Sequence, residues 1–549
     1  MLAVTRENVR TADQVSGRSK SFQSVCSPWR VRLRCSVVAL ALLGLLFVGG
    51  AELLGAQAFS VVHSFNGSPD GASPSAGLIR DSAGNLYGTT TFGGVSGNGA
   101  VFKLNSAGNE TVLYSFTGGS DGAIPEASLV MDSSGNLYGT TTYGGASGNG
   151  VVFRVDPAGN ENVLYSFTGG SDGATPEAGL VMDSSGNLYG TTLFGGSAQS
   201  GTVFKLDPVG NETVLHSFTG GSDGAYPFAG LIRDSAGNLY GTTNEGGSSD
   251  CSGGCGTVFK LDPSGNETVL HSFAYYSDGG YPYAGLVIDA SGNLYGTAYE
   301  GGPSGYGTVF RLDPSGNETV LHNFTYSDGA YPVAGLVRDS SGNLYGTATS
   351  GGAGSPAVGV VFELDRFGNE TVLHTFTGGS DGADPYAGVV QDSSRNLYGT
   401  AEYGGSSSGC YGGCGTAFKV TLPVPFSAFS AKLDITTGPP PGFQLAADFT
   451  QGSGASGIDP VTQNFTLNVG SYSVTIPAGA FQKAGTGLWI YDGTIGGATL
   501  QIRISQTGAN SYQVLVDASG PDLTKATNPV AVTLTIGQNS GTTEVKADF

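Results

Sequence analysis

The sequence predicts an all-β protein: a seven-bladed β-propeller closed by an N-terminal strand, followed by a C-terminal β-sandwich. Three observations carry this. The string NLYGT recurs at Asn85, Asn136, Asn187, Asn238, Asn293, Asn343 and Asn396, with spacings of 51, 51, 51, 55, 50 and 53 residues. Each period holds four short runs rich in β-branched and aromatic residues, without helical periodicity. The series also opens on a strand of the fourth type and stops after one of the third type, an offset that a closed ring resolves.

The third period shows the pattern: strand a at 178–183 (AGLVMD), b at 187–194 (NLYGTTLF), c at 201–207 (GTVFKLD) and d at 212–218 (ETVLHSF). Strand a ends in DSSGN and strand c in DPxGN. Both suit tight hairpins, with Gly or Asn at positive φ and the Asp capping the turn amides. Four antiparallel strands in a period of about 50 residues describe a propeller blade. A d-type strand at 60–65 (SVVHSF) precedes every a strand, and an orphan c strand at 415–420 (GTAFKV) has no d after it. If 60–65 completes the last blade, every blade has four strands and the ring hides its edges.

The motifs DGAxPxAGL, DxxGNLYGTT, GxVFxLD and GNETVLHSF resemble the GloVer tandem repeat of exported bacterial proteins, over residues 60–420. The resemblance implies propeller-like repeats, export and a variable C-terminal segment. It implies no activity and no catalytic residues.

Residues 1–58 read as a secretory leader. Seven basic residues precede an apolar run at 36–48, and Ala56-Gln57-Ala58 forms an A-x-A site, placing cleavage before Phe59. The apolar run is short for a membrane span of about 20 residues. Without this segment, 16 basic side chains face 41 acidic ones, a net charge of −25. Such a surface repels phosphate backbones and anionic membranes, so nucleic acid is excluded as a partner. The mature chain is expected to be a secreted, periplasmic or cell-surface monomer without a membrane span. Cys251 with Cys255, and Cys410 with Cys414, form two short pairs expected to be local disulfides, the competing reading being one four-cysteine zinc site.

His63, His216, His271, His322 and His374 share one position of strand d, where Tyr114 and Tyr165 stand in two other units. One residue per blade does not build a histidine cluster, so these read as packed or hydrogen-bonded residues, and no metal site or cofactor is expected. The DxxGN aspartates read as hairpin caps. Asp70, Asp121, Asp172, Asp223, Asp278, Asp328 and Asp381, in the d–a connections, read as turn residues, with a Ca²⁺-binding ring as the alternative.

The a–b and c–d hairpins are nearly uniform, whereas the d–a and b–c connections vary, and variation on a rigid scaffold marks recognition. Tyr226, Phe228, Tyr281, Tyr283, Tyr331 and Tyr386 lie there, beside Asp223, Asp278 and Asp328. Aromatic faces with carboxylates suit stacking on sugar rings and hydrogen bonds to hydroxyls. The plainer reading is that these rings fill gaps between blades. No nucleophile elbow, HExxH or phosphate loop is present. The expected function is thus a non-enzymatic module that binds glycan or cell-envelope material. The alternatives are an adhesive surface protein without a small ligand, whose partner is a cell-surface protein, and a polysaccharide-degrading enzyme.

The propeller is expected over 59–422 and the sandwich over 423–549. Alternating runs in the latter include 465–469, 471–476, 488–491, 498–504, 511–516 and 531–536, with Trp489 as a core residue.

Overall fold

The computed structural model describes residues 58–547, apart from 248–249, 453–454, 456, 471, 522, 524–527 and 538. The leader reading therefore lies outside the described residues, save that Ala58 already begins a strand. Every regular element among the described residues is a β-strand.

Short apolar runs joined by tight turns pair with their sequence neighbours, and each repeat accordingly makes one antiparallel sheet. Sheets 1 to 6 span 79–115, 130–166, 181–217, 232–272, 287–323 and 337–375, each with strand order a-b-c-d. Sheet 7 takes strands a to c from 390–421 and its fourth strand from Ala58–Ser64, with Phe59 opposite Val420 and His63 opposite Ala417.

In sheet 3 strand b pairs with c from Leu188↔Leu206 to Thr192↔Thr202, and a bulge in the c–d pairing falls between Val203 and Phe204. Strand a is only Val181–Met182, shorter than the expected 178–183. The first of the expected residues is instead tied to a neighbouring sheet. Ala178 O accepts the Thr140 hydroxyl of sheet 2 at 3.1 Å.

That bond recurs at every step. The strand-b threonines Thr89, Thr140, Thr191, Thr242, Thr297 and Thr347 each donate to an alanine carbonyl of the next sheet, and Thr400 of sheet 7 donates to Ala76 at 3.1 Å before sheet 1. Seven phenylalanine pairs follow the same path. Phe65 lies edge-on to Phe102 at 5.0 Å, and Phe376 to Phe418 at 5.3 Å, with five equivalents between. Edge-to-face geometry suits the ring quadrupoles, and all seven upstream rings are fully buried.

Beyond the repeats, two further sheets share one apolar cluster drawn from residues 426–547. One has five strands, in the order Val424–Pro425, Asn539–Val545, Val530–Ile536, Phe465–Val469 and Tyr472–Ile476. The other has six: Ala428–Thr436, Gly442–Thr450, Ser511–Ser519, Ala498–Gln506, Leu488–Ile495 and Gln482–Gly485. Trp489 is buried in this cluster and its indole N–H donates to Asp459 at 3.2 Å.

Both cysteine pairs are disulfides within their own b–c loops, with Cα–Cα distances of 5.2 Å for Cys251–Cys255 and 5.1 Å for Cys410–Cys414. No thiolate of these pairs is left for a zinc site. No helix among the described residues is long and apolar enough to cross a membrane.

Candidate functional site

The variable connections are built on a fixed backbone. In every d–a connection the residue before the proline has a left-handed backbone, with φ of 56° at Tyr226, 55° at Tyr281 and 60° at Tyr331. Side chains disfavour this region by roughly 1–2 kcal/mol, and the strain is held by bonds to two loops. The Tyr226 amide donates to Ser200 O of sheet 3 at 3.0 Å, and its carbonyl accepts from Asn244 N–H in its own b–c loop at 3.1 Å. Tyr281 and Tyr331 likewise donate to Cys255 O and Tyr306 O at 2.8 and 2.9 Å. Because the main chain makes these links, the side chain is free to vary. The seven positions hold Ser73, Ile124, Thr175, Tyr226, Tyr281, Tyr331 and Asp384.

The aromatic residues form a connected series across sheets 4 to 6. Phe228 contacts Tyr283 at 4.9 Å, Tyr283 contacts Tyr299 at 5.1 Å, and Tyr299 contacts Tyr331 at 5.2 Å. Tyr306 extends the series from Tyr331 to Tyr326. Tyr226 instead packs on Phe194, and Tyr281 on Tyr275. Tyr386 is 48 % exposed and Tyr276 is 76 % exposed, so open ring surface remains. Burial pushes the Tyr386 hydroxyl up, reinforced by Tyr299, Glu402, Tyr283 and Asp384, which places sheets 5 and 7 within electrostatic reach of each other here.

Carboxylates that break the repeat surround these rings. Glu126 and Glu177 occupy equivalent positions after the proline in sheets 2 and 3, where sheets 4, 5 and 7 have Phe228, Tyr283 and Tyr386. Burial and the neighbouring Glu126 push Glu177 up to about 7. Burial also raises Glu126, against a 2.9 Å hydrogen bond from the Thr142 hydroxyl. Asp384 is raised by burial, and Glu402 by burial together with Asp384 and Glu126. Tyr275 donates to Glu300 at 3.2 Å. The d–a and b–c connections of all seven repeats contain no Lys or Arg. Their carboxylates therefore meet no cation from these loops.

Asp223, Asp278 and Asp328 are engaged elsewhere. They sit 3.5, 2.9 and 3.2 Å from His216, His271 and His322 of their own strands d, and they accept turn amides from Thr219, Ala274 and Thr325. Where tyrosine replaces histidine, Tyr114 and Tyr165 donate to Asp121 and Asp172 at 2.9 and 3.1 Å. A strand-d glutamate of the next sheet faces each such pair. Burial first, then the adjacent aspartate, pushes Glu161, Glu212 and Glu267 up to about 7. The carboxylates whose charge reaches the rings are thus Glu177, Glu245, Glu300, Asp384 and Glu402, with Glu126 beside Glu177 and Glu402. The sequence signal for them was that each of these positions is acidic in only one or two of the seven repeats.

Two open depressions lie away from these loops. One is on the six-stranded C-terminal sheet around Ile490 and Leu515, the other beside Tyr87, Lys103 and Asp132 of sheets 1 and 2. Neither gathers aromatics with unshared carboxylates.

Among solved structures, similarity extends to TolB from Acinetobacter baumannii (11% identity, 76% of this chain and 82% of that one, TM-score 0.26). It extends also to a sialidase from Trypanosoma rangeli in complex with sialic acid (9% identity, 88% and 93%, TM-score 0.33) and to a GH43 glycoside hydrolase with an engineered active site (10%, 88% and 92%, TM-score 0.28). At these scores the likeness says nothing about activity or ligand. No curated protein matches the sequence. The model of the Gloeobacter/Verrucomicrobia repeat matches residues 53–253 and 248–455, a span that takes in all seven repeats, and the chain belongs to this family.

Proposed function

We propose that the protein is an exported binding module that recognises glycan or cell-envelope material through its d–a and b–c loops. In this reading the seven sheets are blades of a closed propeller over 59–422, the C-terminal sheets form a sandwich over 423–549, and residues 1–58 direct export. The two disulfides support an oxidising compartment. The observation that carries the reading is the series Phe228–Tyr283–Tyr299–Tyr331, set beside half-buried carboxylates on loops without a single Lys or Arg. Aromatic faces stack on the apolar faces of sugar rings, and carboxylates accept their hydroxyls. Loops without cations disfavour uronate, sialate and sulfated sugars, so neutral or amino-sugar polymers are the expected ligands.

A glycan array with the purified full chain tests this. Binding to neutral or amino-sugar polymers should weaken by about tenfold or more on Tyr283→Ala, equivalent to about 1.4 kcal/mol. A negative result across the array rejects the reading in favour of an adhesive protein with a protein partner.

One observation favours a second reading, cleavage of polysaccharide. Glu126 and Glu177 are neighbouring carboxyls, and Glu177 is pushed to about 7, the range of a general acid at neutral pH. Release of reducing ends from a bound polymer, abolished by Glu177→Gln with binding retained, distinguishes it from binding alone.

A further inference from the structure

Where sheet 7 meets sheet 1, three side chains from separate segments converge. His63 comes from the closing strand Ala58–Ser64, Asp70 from the connection that follows, and Glu110 from the start of strand d of sheet 1, Glu110–Ser115. One ligand atom of each lies within 4.8 Å of the other two, and among the described residues this is the one such group. His63 Nε2 is 3.4 Å from Asp70 Oδ2. Both His63 Nε2 and Glu110 Oε1 are sealed from solvent and have no hydrogen-bond partner. Asp70 is oriented by the Asn66 amide and side chain, each donating at 3.0 Å.

Buried polar atoms in folded proteins are normally satisfied, and an unsatisfied pair facing one point calls for a bridging group. With two carboxylates and an imidazole around it, that group carries positive charge. The same two atoms are unpartnered at two related interfaces, His216 Nε2 with Glu267 Oε1 and His322 Nε2 with Glu370 Oε1. Among the described residues, however, only the His63 trio brings its ligand atoms within 4.8 Å of one another. Elsewhere the aspartate takes a direct partner. Tyr114 donates to Asp121 at 2.9 Å, and His271 meets Asp278 at 2.9 Å. At the interface of sheets 6 and 7, Phe59 stands where the others have glutamate and stacks on His374 at 3.6 Å.

The geometry points to a divalent transition-metal site formed by His63 Nε2, the Asp70 carboxylate and Glu110 Oε1, which fixes the closing strand to sheet 1. One imidazole nitrogen with two carboxylates matches Zn²⁺, with a fourth position open to water. Ca²⁺ requires six to eight oxygens, more than this trio supplies. Asp70 belongs to a d–a connection, but none of the three side chains is among the aromatic rings and carboxylates assigned to glycan.

The test titrates Zn²⁺ into the metal-free full chain and follows thermal unfolding and equilibrium dialysis. One bound Zn²⁺ per chain is expected, with a midpoint that rises with the logarithm of its concentration and returns on chelation. His63→Gln and Glu110→Gln should each weaken binding by more than about tenfold, while His374→Gln leaves it unchanged. No bound Zn²⁺, or equal binding by both ligand variants, overturns the proposal. If a variant does not fold, Co²⁺ absorption on the unaltered chain decides. Bands of a low-symmetry nitrogen–oxygen site support it, and the spectrum of the hydrated ion overturns it.

Discussion

At the scale of the residue, each letter of NLYGT has a separate task. In sheet 3, Asn187 donates its amide and side chain to Asp183 at 2.9 and 2.8 Å, and Tyr189 donates its hydroxyl to the same carboxylate at 3.0 Å. Burial opposes ionisation of Asp183, yet these bonds hold its carboxyl below the ordinary value. Leu188 is core, and Thr191 reaches Ala229 of the next sheet. Gly190 lies under the Phe204 ring, where a Cβ would stand 2.7 Å from Cζ. Gly190→Ala is therefore expected to destabilise by about 1–3 kcal/mol, as overpacking does, read as a lowered denaturant midpoint with unchanged m. The hairpin tasks were legible because they act within one turn. The threonine and glycine tasks were not, because their partners lie on another strand or in another repeat. The candidate site divides the same way. The aromatic residues stood out by type, but only the fold separates the aspartates tied to histidines from the glutamates beside the rings.

At the scale of the element, sheet 6 carries a pair of exchanged charges. Its strand c has Glu363 where the other six have Lys or Arg, and sheet 7 has Arg395, with φ of 65°, where the other a–b turns have Gly. The two changes compensate. Arg395 donates to the Tyr345 hydroxyl at 2.9 Å and lies 3.6 Å from Asp339, while the single Tyr345 hydroxyl proton is shared between Asp339 at 3.1 Å and Glu363 at 3.2 Å. Arg395→Gly alone should destabilise, since it leaves two carboxylates around a buried tyrosine without their counter-charge. Glu363→Lys in the same chain should restore the midpoint, giving a coupling of about 1–3 kcal/mol in a double-mutant cycle. Element boundaries were less legible than element type. The C-terminal strands Ala428–Thr436, Gly442–Thr450 and Asn539–Val545 were not anticipated. The first alternates along its whole length, with Phe429, Ala431, Leu433 and Ile435 inward and Ser430, Lys432, Asp434 and Thr436 outward, so its period-2 signal is present in the sequence.

At the scale of the whole molecule, the interfaces between sheets give stability a definite pH dependence. Glu161, Glu212, Glu267 and Glu318 are raised to about 7 and Glu370 to about 8, in each case by burial first. A carboxyl raised on folding contributes stability at pH below its unfolded value near 4.5, and that contribution is lost as pH rises through the folded value. The lowered aspartates of the a–b hairpins act oppositely, losing their contribution as pH falls below about 3.8. The thermal midpoint is expected to be highest near pH 4–5 and to fall towards pH 8. Changing Glu161, Glu212, Glu267, Glu318 and Glu370 together to Gln should flatten the alkaline side, and an unchanged profile would reject this account.

The pairing of Ala58–Ser64 with Thr416–Thr421 also sets an order of events. More than three hundred residues separate the partners, so a chain emerging from the ribosome must hold this strand unpaired until the last repeat is complete. Until then two sheet edges stay open to wrong partners, including a second copy. This pairing thus makes completion of sheet 7 the terminal event, after sheets that need only their own repeat, and a chain cut before residue 416 would carry both open edges permanently.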